Sequence, residues 1–190
     1  MVYQSLDEIW NAKKSALQRI RRIVEHVTPA GVHFRPSDGS WTIAENLEHL
    51  SITGSQTVSL VEAMLRKTEE AGASNPGGAL AISVQSYFER SQREKYRTRE
   101  QFVPSGRVDG ADSLQVLSGI EQQLLALGPR LEIVDLTYAS FPHWIFGRLQ
   151  LGQWLAFVVL HEERHCDQIV SIVDSPEFSA YRGRWPRENA

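Results

Sequence analysis

Apolar residues recur at helical spacing in four separate stretches of the chain. The first carries Ile9, Ala16, Ile20, Ile23, Val24 and Val27, a period that ends before Pro29. Ser5-Leu-Asp-Glu8 ahead of it has the form of a capping box, in which Ser5 and Glu8 satisfy backbone donors at a helix start. After a turn-rich stretch from Pro29 to Ser40, a second capping box, Thr42-Ile-Ala-Glu45, opens a helix predicted to run to about Glu70. Gly72, Asn75, Pro76, Gly77 and Gly78 stop it. The third stretch, roughly Asp112 to Leu127, carries Leu114, Leu117, Ile120, Leu124 and Leu125, and Gly128-Pro129 ends or interrupts it. The fourth spans about Leu149 to Val173 and is closed by Asp174, Ser175 and Pro176.

The remaining segments read as connections. Between the second and third helices, Leu80, Val84, Tyr87 and Phe88 suggest a short helix. The charged run from Glu89 to Glu100 reads as a solvated connection, and Pro104, Gly106 and Gly110 mark a loop. Residues 131–148 read as a loop over the end of a bundle. With four long helical patterns and no strand alternation, the expected fold is all-α. It is a single domain over residues 1–190, an antiparallel four-helix bundle with a long connection between helices 2 and 3. Bundles of this kind build metal and cofactor sites from side chains that project inward between facing helices.

Composition narrows the function classes. The 190 residues are 42% hydrophobic and 23% charged, ordinary for a globular chain, with a formal net charge of -3. That balance offers no general attraction to nucleic acid or to an anionic membrane. The longest apolar run, Trp154 to Leu160, is too short to span a bilayer, and the N-terminal segment lacks the apolar core of a signal peptide. A cytoplasmic location is the expectation. Cys166 is the single cysteine, so no intramolecular disulfide can form; it reads as a packing thiol.

The sharpest chemical signal is His161-Glu-Glu-Arg-His165 on the last helix. Histidines four apart lie on one helix face, close enough for both imidazoles to reach one ion. They extend an apolar stripe containing Trp154, Val158 and Ile172, so the pair is expected to face inward. Buried neutral imidazoles need partners, and a metal ion supplies one to both. The pair alone fits a hydrogen-bonded pair equally well. His49, two turns into the second helix, is the best supplier of a third ligand, although its stripe with Ile52, Gln56 and Leu60 does not by itself aim it at the bundle axis. Glu162 follows a ligand directly and is the candidate general base, or a partner for an imidazole; its bland reading is a solvated helix position. His143, in Phe-Pro-His-Trp, reads as a loop histidine near the pocket. Trp41, Trp144 and Trp154 read as core rather than as pocket walls.

Taken in order, Trp41…Glu45…His49-Leu50, then Phe146-Gly147…Gln153-Trp154-Leu155…His161-Glu162…Arg164-His165…Gln168-Ile169, resemble the DinB-like family of metal-dependent enzymes. Phe102-Val-Pro104-Ser-Gly106 resembles that family's loop, and the likeness extends from about residue 5 to 173. Gln150 departs from the pattern, standing where many relatives carry a Ser or Thr helix cap. The resemblance implies a four-helix bundle with a three-histidine metal site, carried here by His49, His161 and His165.

Three imidazoles with an open fourth position suit a catalytic ion. The expected cofactor is one divalent metal, zinc or nickel first, with iron or manganese able to use the same ligands. The resemblance suggests two reactions on a small-molecule substrate, hydrolysis or transfer of a low-molecular-weight thiol. A non-catalytic metal-binding or dimerising bundle, assembling as a homodimer, is the competing class. His-Glu-x-x-His also matches the zincin metalloprotease pattern. A zincin needs a third ligand downstream, for which the tail offers Glu177 or Glu188, and a sheet ahead of the helix, where no strand is expected.

Overall fold

The computed structural model describes residues 2–78, 80–85, 87, 89 and 97–181. Helix α1 spans Leu6–Glu25, a single turn α2 spans Pro29–Val32, and α3 spans Ile43–Glu70. Helix α4 spans Gly110–Ala126, the short α5 spans Gly128–Glu132, and α6 spans Leu151–Asp174. Both expected caps start helices, but only Thr42–Glu45 is a reciprocal box, since the Glu8 carboxylate accepts from Gln4 N–H at 2.6 Å and not from Ser5. Ser5 Oγ accepts from Glu8 N–H at 3.1 Å, and Thr42 Oγ1 accepts from Glu45 N–H while Glu45 Oε2 accepts from Thr42 N–H at 2.8 Å. Asp109 caps α4 through Ala111 N–H at 2.7 Å, which sets that helix start two residues before the expected Asp112.

The four long helices bury their apolar stripes against one another. Ile9, Leu17 and Ile20 of α1, Ile43, Leu47, Val61 and Leu65 of α3, Leu117 and Leu124 of α4, and Leu155, Val159 and Ile169 of α6 are buried in one core. Cross-helix contacts give the directions. Lys13 meets Glu162 and Arg19 meets Asp167, so α1 and α6 run parallel. Asn46 meets His165 while His49 meets His161, so α3 and α6 are antiparallel. Positions of Gly110 and Gly54 abut Leu47 and Ile120, so α3 and α4 run parallel. Trp10 approaches Gly128 while Arg21 meets Ser118, so α1 and α4 are antiparallel. The four-helix bundle is therefore present with each helix antiparallel to one neighbour and parallel to the other. The parallel pair α3 and α4 is joined by the long connection expected between helices 2 and 3.

Two expectations are corrected. Strands do occur: β1 (Val2–Tyr3) pairs with β2 (Ile82–Ser83), and β3 (Ser140–His143) pairs with β4 (Gly147–Gln150), both antiparallel. Elements of two and four residues are too short to show a period of two, and Pro142 inside β3 disguises it further. Residues 131–148 are thus the end of α5 and a hairpin, not a plain loop, and Gly147 closes the hairpin with φ of 74°. Leu149 and Gln150 belong to β4, so α6 begins at Leu151, where Gln150 N–H donates to Gln153 Oε1 at 3.0 Å. That bond is the cap left open by the unusual Gln150. Phe88 of the expected short helix, part of the Glu89–Glu100 run, and Glu188 lie outside the described residues. No helix among the described residues is long and apolar enough to cross a membrane.

Candidate metal centre

The first third of α3 and the middle of α6 face each other across the bundle, and this is where the histidines meet. His161 Nε2 lies 3.2 Å from His49 Nε2 and 3.2 Å from His165 Nε2. His49 and His165 are buried and His161 is half-buried. The outer nitrogens are committed. His49 Nδ1 is 2.7 Å from the carbonyl oxygen of Phe102, and His165 Nδ1 is 2.8 Å from Asn46 Oδ1. A carbonyl oxygen only accepts, so His49 carries its proton on Nδ1. Asn46 Nδ2 donates to the Thr42 carbonyl at 2.9 Å, which turns its Oδ1 to His165 and fixes the same tautomer there.

Both neutral rings therefore present bare Nε2 lone pairs to His161, whose Nε2 has at most one proton for two contacts. A cation at the meeting point satisfies all three. Two of the three separations fit: nitrogens at ~2.0–2.1 Å from a tetrahedral ion stand about 3.3 Å apart, and all three ligand atoms lie within 4.8 Å of one another. Burial keeps the rings in the ligand form. Desolvation pushes His161 down to about 3, with His49, His143 and Arg164 adding to the effect. Desolvation also lowers His49, partly offset by its bond to Phe102, and lowers His165 well below the usual histidine range.

These shifts set a pH dependence for the metal-free protein. Folded pKa values lie below the unfolded value near 6.5, so the histidines' contribution is complete above about pH 6.5 and is lost as pH falls toward 3. Urea denaturation of chelated protein is expected to show falling stability from pH 7 to pH 5, with a shallower fall in His161→Gln. Equal slopes in the two proteins would refute this burial of neutral imidazoles.

The residues around this cluster match a known family. The sequence pattern of the DinB superfamily fits residues 14–169. The chain belongs to the DinB superfamily. Among solved structures, YfiT from Bacillus subtilis, described as a probable metal-dependent hydrolase with an unusual four-helix bundle topology, is similar with a TM-score of 0.60. It is 16% identical, with 88% of this chain and 85% of that chain covered. TT2238, described as a four-helix bundle protein, is similar with a TM-score of 0.59 and 17% identity, covering 88% and 99%. At these identities the likeness is one of fold. Comparison with curated proteins gave no match.

Around the three histidines of this DinB-superfamily chain lies a cavity of about 1320 Å³, open to solvent and lined by all three rings. Trp41 stands over His49 and His165, with ring centroids 4.8 and 6.1 Å away. Trp41, Trp144 and Trp154 all line the cavity, so they are pocket walls; only Trp154 is also buried. His143 sits on β3, its centroid 4.7 Å from Phe157, which in turn stacks on His161. Glu162 also lines the cavity, and its Oε1 pairs with Lys13 Nζ of α1 at 2.8 Å. Burial raises the Glu162 carboxyl against the pull of Lys13. Cys166 is fully buried, and burial pushes its thiol up to about 11. Glu177 accepts from Ser37 Oγ at 2.6 Å and stands at the far end of the cavity.

Several supporting residues carried no role in the sequence reading. Glu48 is buried, and its carboxylate accepts from Ser105 N–H at 2.8 Å, Ser105 Oγ at 2.7 Å and Gly106 N–H at 2.9 Å. That clamp holds the loop whose Phe102 carbonyl orients His49. Asn46 could have been found from its place three residues before His49, on the same helix face. The Phe102 contact is a backbone contact and leaves no mark on side-chain pattern.

Proposed function

We propose that this protein is a metal-dependent enzyme acting on a small molecule, with His49, His161 and His165 as the ligands of one divalent ion. The observation that carries this reading is the convergence of three Nε2 atoms, two of them with assigned lone pairs, on the wall of an open cavity. A structural site would be closed by a fourth protein ligand. Among the described residues, the group of possible ligands contains only these three side chains. When bound, a divalent ion supplies Lewis acidity, which activates water or a thiol as nucleophile near neutral pH.

Hydrolysis is the first reading, and YfiT, of similar fold and described as a probable metal-dependent hydrolase, supports it. Thiol transfer is the second, favoured by a cavity that extends to both sides of the histidines and so has room for two reactants. In this reading the protein's own groups do three things. Phe102 and Asn46 hold two imidazoles in the ligand tautomer, Trp41 covers the ligands, and the aromatic hairpin walls one side of the cavity. Glu162, held by Lys13, acts as a structural group and not as the general base.

The test is turnover by chelated and reconstituted protein on a panel of esters, amides and thiol acceptors, each with and without a low-molecular-weight thiol. Activity is expected to track metal content. Hydrolysis proceeds without thiol, and transfer requires it. Undiminished turnover after chelation sinks the metal-dependent reading. A metal that raises the melting temperature while no substrate turns over establishes the non-catalytic alternative.

A further inference from the structure

The cavity is not chemically uniform. From the histidines it runs in two directions along α6. Toward the helix start its wall is Phe157 together with the β3–β4 hairpin, and toward the helix end it is Gln168, Ser171 and the loop around Ser37. The first arm is a row of rings leading away from the metal ligands. Phe157 lies nearly parallel to His161, with centroids 5.7 Å apart and planes 13° apart. His143 follows at 4.7 Å from Phe157, and Trp144 at 6.3 Å from His143. At the outer end the Arg99 guanidinium lies 5.2 Å from the centre of the Trp144 ring.

Charge is distributed with the same polarity. Among the described residues Arg99 is the cation of the aromatic arm, and it contributes to holding His143 down to about 4, after burial. The carboxylates of Asp38 and Glu177 line the opposite arm, and Glu162 is paired with Lys13. Among the described residues the other cation lining the cavity is Arg164, on α6 beside His165. The aromatic arm also keeps apolar surface in water: Trp144 is 41% exposed and Phe141 48%. Large rings left open along a pocket wall mark a surface that a ligand covers.

We propose that this arm binds a flat aromatic substrate bearing a carboxylate or similar anionic group. The rings stack along Phe157, His143 and Trp144, the anion pairs with Arg99, and the reacting end points at the three histidines. Aromatic faces favour stacked or edge-on rings over aliphatic chains of equal area. A guanidinium parked on an indole face is pre-oriented, so less is lost on forming charge-assisted hydrogen bonds. The proposal rests on the metal-enzyme reading only for the direction in which the ligand points; binding in the arm does not require the ion.

The experiment is calorimetric titration of the full chain with 2-naphthoate, the uncharged 2-naphthamide and acetate, in metal-loaded and chelated protein, with metal content measured on each sample. Naphthoate is expected to bind about tenfold or more tighter than naphthamide, as one charge-assisted contact allows, and acetate not to bind measurably. In Arg99→Gln that ratio falls to near one, while Trp144→Leu weakens both bicyclic probes together and keeps the ratio. No naphthoate binding to wild type, equal affinity for the two bicyclic probes, or an unchanged ratio in Arg99→Gln overturns the proposal. If the ratio behaves as expected in a protein that holds no metal after reconstitution, the aromatic arm stands and the metal reading falls.

Discussion

His161→Ala is expected to reduce bound metal from about one ion per chain to less than a tenth, the largest functional loss of any single substitution in this protein. His161 is the hinge of the cluster, because its Nε2 is 3.2 Å from each of the other two and links the α3 ligand to the second α6 ligand. Removing it leaves two imidazoles on different helices, too few for a stable site. Asn46→Leu should act more gently. It leaves all three nitrogens but frees His165 to rotate or change tautomer, a loss of about 10–100-fold in affinity. Glu177→Ala is expected to leave binding unchanged, since Glu177 is engaged by Ser37 at the cavity's far end. The check is metal content by mass spectrometry with a competition titration against a chromophoric chelator. Full occupancy in His161→Ala, or loss of metal in Glu177→Ala, would falsify the three-histidine assignment and revive the metalloprotease pattern.

The grading from His161 to Asn46 to Glu177 also marks how far the sequence reveals this protein. The helices of the bundle were legible because each carries an apolar stripe long enough to establish its period, and because Ser5, Thr42 and Glu45 announce their starts in side-chain chemistry. His161 and His165 were legible as a pair because four residues make one helical turn. His49 was not fixed by periodicity: its own stripe is offset from that of Leu47 and Leu65, and only the packing of α3 against α6 turns it inward. The hairpin was missed because four residues with a proline among them carry no readable alternation, so His143, read as a loop residue near the pocket, was not placed on a strand. Parallel neighbours were equally hidden. Helix direction depends on the path of the connection between α3 and α4, which no side-chain period states.

Lys13 was hidden in plain view, and it yields the largest expected effect on stability. It interrupts the α1 stripe between Ile9 and Ala16, where an apolar residue belongs, and it is only 1% exposed. Its Nζ meets Glu162 Oε1 at 2.8 Å, while Glu162 Oε2 finds no partner among the described residues. Lys13→Met would leave the Glu162 carboxyl buried without its counter-charge. Breaking one side of such a pair costs about 3–5 kcal/mol, and ~1 kcal/mol moves the melting temperature of a chain of this size by ~2–4 °C. A fall of roughly 6–20 °C is therefore expected by calorimetry. The double variant Lys13→Met with Glu162→Met removes the orphaned charge as well. It should recover most of the loss or exceed wild type, because desolvating two charges costs nearly as much as their attraction returns. Equal destabilisation in the single and double variants would mean that shape at these positions matters and charge does not. Because Glu162 adjoins His161, the pair also fixes the rotation of α6 about its axis. The single variant should therefore lose metal affinity together with stability, whereas the double variant, if well packed, should regain both.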